Sequence, residues 1–135
     1  MPVNRALFSS ANDFWRTPAK VYEALDNEFH FDFDPCPVNP TFDGLNIEWG
    51  QCNFVNPPYS RKCLKLWYAK AWQEYQKGKT VVMLVPARTD VPHWHEYAMK
   101  ATEIRFCRGR IHFNDAKTGA PFPSAIVIFK VTPCQ

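Results

Sequence analysis

The residues best suited to chemistry are four in a row, Asn56-Pro57-Pro58-Tyr59. An amine attached to an aromatic ring is a poor nucleophile, because its lone pair is delocalised into the ring. An Asn side-chain carbonyl and a neighbouring backbone carbonyl can each accept one of its N–H groups. Together they favour a more tetrahedral, more nucleophilic nitrogen and stabilise the charge that develops there. Pro57 has no amide hydrogen, and the Pro57-Pro58 pair fixes the backbone direction, so the acceptor carbonyl is held in place. Tyr59 offers a ring face on which a flat substrate can stack. An Asn followed by two prolines is also an ordinary strand-ending turn, and the tetrapeptide alone does not separate the two readings.

The flanking elements favour chemistry. Cys52-Asn53-Phe54-Val55 reads as a short apolar strand leading into the tetrapeptide. A helix is predicted from about Arg61 to Lys77, with Leu64, Trp67, Tyr68, Ala71, Trp72 and Tyr75 on one face and Gly78 as its stop. A strand-to-helix turn of this kind lies at the carboxyl edge of an open α/β sheet, where such folds bind ligands. Thr80–Val85 is a continuous apolar run, as expected of a central strand covered on both faces. Upstream, Thr17-Pro18 reads as a helix start, with a capping hydroxyl followed by proline at the first helical position. Val21, Tyr22, Leu25 and Phe29 then recur at helical spacing. Phe29–Asp34 alternates strictly and predicts a strand that Pro35, Pro37 and Pro40 end. A weaker helix is expected through Trp94, Tyr97, Ala98 and Ala101, capped from the turn 86–90. Strands are expected at Glu103–Cys107 and Ser124–Val131. This order fits an α/β sheet, parallel at first and closing in a hairpin. Residues 1–14 show no periodicity and read as an irregular lead-in to a single domain over 15–135.

Charge is unevenly spread. The net charge is +3, yet residues 1–55 carry three Lys/Arg against eight Asp/Glu, and residues 56–135 carry thirteen against five. A basic half permits contact with a polyanion without naming one. Arg61 and Lys62 sit beside the tetrapeptide, while Arg88, Arg108 and Arg110 flank the same edge or the hairpin loop. All five are candidates for phosphate contact, with solvated surface charge as the rival reading. The five Cys form no CxxC pair and make no recognisable zinc-ligand set with the four His, so reduced thiols and no metal site are expected. No apolar run reaches membrane-spanning length, and no charged-then-apolar leader opens the chain, so a cytoplasmic protein is expected.

An ordered set of short segments carries a family resemblance: Trp15-Arg16-Thr17-Pro18, Phe31-Asp32-Phe33-Asp34, Trp49-Gly50, Phe54–Ser60, Leu84–Asp90, Gly109-Arg110 and Ala120–Ala125. Over residues 15–129 the chain resembles the phage-type (Dam-like) family of DNA N6-adenine methyltransferases. The resemblance implies a shortened class I (Rossmann-like) methyltransferase sheet, mostly parallel with a C-terminal antiparallel hairpin. It also implies S-adenosylmethionine as methyl donor and adenine in double-stranded DNA as acceptor, in the host cytoplasm if the gene is a phage's. Carried over by position, Asn56, Pro57, Pro58 and Tyr59 form the catalytic loop. Asp34 and Pro35 meet the cofactor's methionine end, and Trp15, Thr17 and Pro18 close over the cofactor from the other side. Asp43 is placed like the acid that reaches the cofactor's adenine, with a simple Asp43-Gly44 turn as its structural rival. The chain departs from the family pattern in two ways. Pro35-Cys36-Pro37 stands where a glycine loop is usual, and only about twenty residues separate Asp34 from Asn56, leaving at most a vestige of the usual second and third strands. These departures motivate the alternative, a catalytically weak or inactive methyltransferase-like module that binds nucleic acid or a host protein. The sequence leaves open a homo-oligomer, a host partner and the recognised DNA site.

Overall fold

The computed structural model describes residues 15–131; the segment read as an irregular lead-in, 1–14, lies outside them. A four-stranded sheet is covered by helices on both faces. Helix α1 (Ala19–Phe29) comes first, followed by β1 (Cys52–Val55), α2 (Arg61–Gln76), β2 (Thr80–Pro86), α3 (Pro92–Glu96), β3 (Glu103–Phe106) and β4 (Ser124–Phe129). The strand order is β1-β2-β4-β3. β1 pairs parallel with β2, whereas β4 is antiparallel to both β2 and β3. The sheet is therefore mixed rather than mostly parallel in its pairings. After the hairpin, β4 inserts between β2 and β3, so two of the three ladders are antiparallel although β1, β2 and β3 run the same way.

The first expected strand is the larger correction. Phe29 is the last residue of α1, and His30 turns left-handed (φ 59°) with its N–H bonded to Asp26 O. The Asp26 carboxylate then accepts the Phe31 N–H at 2.9 Å. What remains of the strand is one parallel bridge, Phe33 to Asn53, held by Asp32 N–H to Cys52 O (2.9 Å) and Phe54 N–H to Phe33 O (3.1 Å). The segment does touch β1 there, but most of the alternation serves a turn and ring packing: Phe31 lies 5.4 Å from Phe54 and 5.7 Å from Tyr22 between ring centres.

Helix α2 follows its sequence pattern. Ser60 Oγ accepts the Cys63 N–H, and Gly78, at φ 95°, takes the chain out of the helix in a conformation costly for other residues. Its face buries Leu64, Trp67, Tyr68 and Ala71, a fully buried Leu alone contributing about 2 kcal/mol. Trp72 and Tyr75 pack on Phe129 of β4 from one side of the sheet. On the other side, α1 sets Tyr22 edge-on to Phe54 and ties Glu28 to Arg105 of β3 through two bonds of 2.6–2.7 Å. The expected weak helix is a short α3 followed by a 3-10 turn at Ala98–Lys100. Val91 stands at its N-cap without a side-chain bond, so the 86–90 turn does not cap it.

Among the described residues, 35–51 form no strand, and the missing second and third strands are replaced by a pinned loop. Trp49 Nε1 donates to Gly44 O at 2.7 Å, and Gly44 passes so close to Pro35 O that a Cβ there would stand 2.0 Å from it. Cys36, Cys52, Cys63 and Cys107 are unbridged thiols. No helix among the described residues is long and apolar enough to cross a membrane.

Candidate active site

Because β1 and β2 are parallel, their carboxyl ends share one edge, and the tetrapeptide leaves β1 at that edge. Asn56 is 7% exposed, and Pro57, Pro58 and Tyr59 are buried. The Asn56 amide is held from both sides. Its Nδ2 donates to Thr17 Oγ1 at 2.9 Å and to Trp15 O. Its Oδ1 accepts the Tyr59 hydroxyl, which also lies 3.0 Å from Leu84 O. Thr17 thus spends its hydroxyl on Asn56 rather than on the helix start. Pro18 occupies the N-cap of α1 with no side-chain bond, correcting the expected cap.

One cavity of about 170 Å³ joins the predicted groups, lined by Arg16, Thr17, Tyr22, Asp34, Cys36, Val38, Phe54 and Asn56. Asp34 and Asn56 come together there because Phe33 and Asn53 are paired. Burial pushes the Asp34 carboxyl up to about 6, and the Cys36 N–H that it accepts at 2.9 Å offsets only part of that cost. Pro35 is buried behind it but does not line the cavity. Asp43 lies elsewhere: its carboxylate accepts from Leu45 N and Asn46 Nδ2 and borders a separate groove with Leu66 and Lys70. Its geometry is that of the simple turn, the rival reading of Asp43-Gly44.

Tyr59 differs most from its expected state. It is 3% exposed. Trp15 stacks over it with ring planes 16° apart, and the edges of Phe113 and Phe122 box it at 5.9 and 5.5 Å. Trp15 is kept in place by its neighbour: Arg16 N donates to Asn114 Oδ1 at 2.7 Å, and Asn114 N returns a bond to Arg16 O at 2.9 Å. Asn114 and Asp115 both hold positive φ, 58° and 56°, a costly conformation for residues other than glycine. Trp15 therefore covers a face of Tyr59. Phe113 was not foreseen, since it reaches the site through long-range contact alone. Phe122 belongs to the Ala120–Ala125 segment of the family resemblance, but its aromatic role carried no spacing signal.

Arg61 and Lys62 are exposed on the first turn of α2 and, among the described residues, make no ion pair. Arg88 lies over the Phe122 ring at 5.4 Å and reaches Tyr59 O at 3.4 Å. Arg110 donates to Ala120 O at 3.1 Å. Arg108 is exposed and borders an apolar groove beside α1.

A small mixed α/β domain thus gathers an amide, a carboxylate and a cluster of aromatic rings at one sheet edge. The chain belongs to the DNA N-6-adenine-methyltransferase (Dam) family, whose model matches residues 5–130. No curated protein and no solved structure matches it.

Proposed function

We propose that the protein transfers a methyl group from S-adenosylmethionine to the N6 amine of an adenine flipped out of double-stranded DNA. The observation that carries this reading is the meeting of Asn56 and Asp34 in one cavity at the carboxyl edge of parallel strands. Asp34 fits the cofactor's cationic end, because a carboxyl pushed up to about 6 by burial gains most from a positive charge brought beside it. The cofactor supplies the electrophilic methyl group. Asn56 Oδ1 and a neighbouring backbone carbonyl accept the amine's two N–H groups, and Tyr59, Phe113 and Phe122 form the walls that grip the base. The sheet order, with an antiparallel strand between β2 and the edge strand, supports a shortened class I reading. The cavity is smaller than the roughly 300 Å³ at which ligand pockets begin, so loading requires the Trp15–Thr17 segment to shift. That self-filled state favours a second reading, a binding module without turnover. N6-methyladenine in the DNA of cells expressing the chain, absent from control cells, separates the two.

Two results follow at this site. The folded Asp34 pKa lies above the usual carboxylate value, so the folded state holds an extra proton between about pH 4 and 6, and stability falls as pH rises through that window. A cationic cofactor needs the ionised form. Its affinity is therefore expected to rise with pH up to about 6, by roughly tenfold per unit well below that value, and then level off. Calorimetry across pH 4.5–8 measures this, and Asp34→Asn should abolish the dependence.

The second result concerns the exposed cations. Arg61→Ala with Lys62→Ala is expected to weaken DNA binding regardless of sequence. It should also flatten the log–log salt dependence by about 0.9 for each phosphate no longer neutralised. Fluorescence anisotropy over 50–300 mM salt measures the slope, and an unchanged slope would make both residues solvated surface. Arg88 and Arg110, already bonded to backbone, should contribute less until the loop opens.

A further inference from the structure

We infer that the Tyr59 hydroxyl is a positioning group for Asn56, a stand-in donor that holds the amide ready and steps aside when the substrate amine arrives. This rests on the reading of Asn56 as the amine acceptor. The phenol lies 2.5 Å from Asn56 Oδ1 and 3.0 Å from Leu84 O, both of which only accept. One hydroxyl hydrogen cannot serve both well, so among the described residues the two acceptors share a single donor. The amide cannot flip to resolve the conflict. Its Nδ2 faces Trp15 O and Thr17 Oγ1, and a flip would set Oδ1 against the Trp15 carbonyl. While the Trp15–Thr17 segment covers the site, the amide is thus locked with Oδ1 as the acceptor.

An arriving amine supplies the missing donor. When its N–H reaches Asn56 Oδ1, the Tyr59 hydroxyl turns its hydrogen to Leu84 O, and both acceptors then have a donor. The exchange trades one hydrogen bond for another, with no proton transferred between heavy atoms. Tyr59 is fully enclosed, and burial raises its ionisation far out of reach, so it remains a donor at any working pH. Phe at this position would keep the ring and its packing but leave Asn56 Oδ1 unheld in the empty site.

Tyr59→Phe tests the assignment. Turnover should fall about tenfold, the scale of one net hydrogen bond, while the KM for DNA and the Kd for S-adenosylmethionine stay within twofold. In ¹⁵N-labelled wild-type protein, the Asn56 side-chain amide should exchange slowly with solvent, and in Tyr59→Phe at least several-fold faster. Wild-type turnover in the variant, or a loss carried by KM, would overturn the proposal by making Tyr59 a packing ring only. Fast exchange of the Asn56 amide in the wild type would overturn it too. A wild-type protein that transfers no methyl group refutes the proposed function instead, and the amide exchange still decides whether Tyr59 holds Asn56.

Discussion

Replacing Asn56 with alanine is expected to cut methyl transfer a hundredfold or more, the scale of removing one preorganised group that acts on developing charge. The loss should appear in turnover rather than in KM, because the Oδ1 acceptor matters most as the amine becomes tetrahedral and positive. The amide also ties down the covering segment through Trp15 O and Thr17 Oγ1. A stability cost of about 1–3 kcal/mol is therefore expected as well, from acceptors left without a donor. Leu84 O keeps the Tyr59 hydroxyl satisfied in this variant, which limits that cost. Thermal unfolding beside single-turnover kinetics separates the two effects: a folded protein with wild-type turnover would remove Asn56 from the chemistry.

The second large effect lies outside the cavity. Glu74 is fully buried on α2, and its carboxylate accepts Trp49 N at 2.8 Å, Lys79 Nζ at 2.7 Å, Lys77 Nζ at 2.8 Å and Lys70 Nζ at 3.2 Å. Burial alone would raise its pKa, but the bonds from Lys77, Lys79, Trp49 and Lys70 outweigh it and hold the carboxyl at about 2. Glu74→Ala leaves the nearly buried Lys79 with only the exposed Glu48 carboxylate at 3.6 Å, which costs about 3 kcal/mol, the lower end of the scale for half of a buried pair. Against a total of about 5–15 kcal/mol for a domain, that is a large fraction. It also frees Trp49, which pins the loop behind Asp34. Since the folded pKa is depressed, the stabilisation is present above the ordinary carboxylate value near 4.3 and is lost as pH falls towards 2. Urea unfolding at pH 7 and pH 3 should show the wild type losing stability over this window, and Glu74→Gln losing much less. Equal pH dependence in both would refute the role.

What could be read in advance divides along physical lines. Helix α2 was legible because Leu64, Trp67, Tyr68 and Ala71 recur at helical spacing ahead of a terminating Gly78. The strand before Asn56 was legible from its apolar run and the prolines that stop it. Phe29–Asp34 misled because alternating aromatics satisfy a strand pattern and a packed turn equally well, and the left-handed His30 leaves no composition signal. The place of β4 between β2 and β3 depends on pairings far apart in sequence, which local periodicity does not encode. Glu74 could have been found: it falls on the apolar face of α2 with Lys70 four residues before and Lys77 three after, the spacing of helical ion pairs. At the site, residue type singled out Asn56 and the family resemblance singled out Asp34, and the two line one cavity. The Trp15 cover and the Phe113 wall come from the Arg16–Asn114 contact, which joins residues 98 apart.

The central claim, that the Asn56 loop methylates adenine in DNA, is tested most directly by one measurement. Purified protein in excess over duplex DNA is mixed with S-adenosylmethionine labelled in its methyl group, and the DNA is digested to nucleosides after a single turnover. Label in N6-methyladenine is expected for the wild type, with a rate at least a hundredfold lower for Asn56→Ala. Label in no nucleoside, or in another one, would contradict the claim.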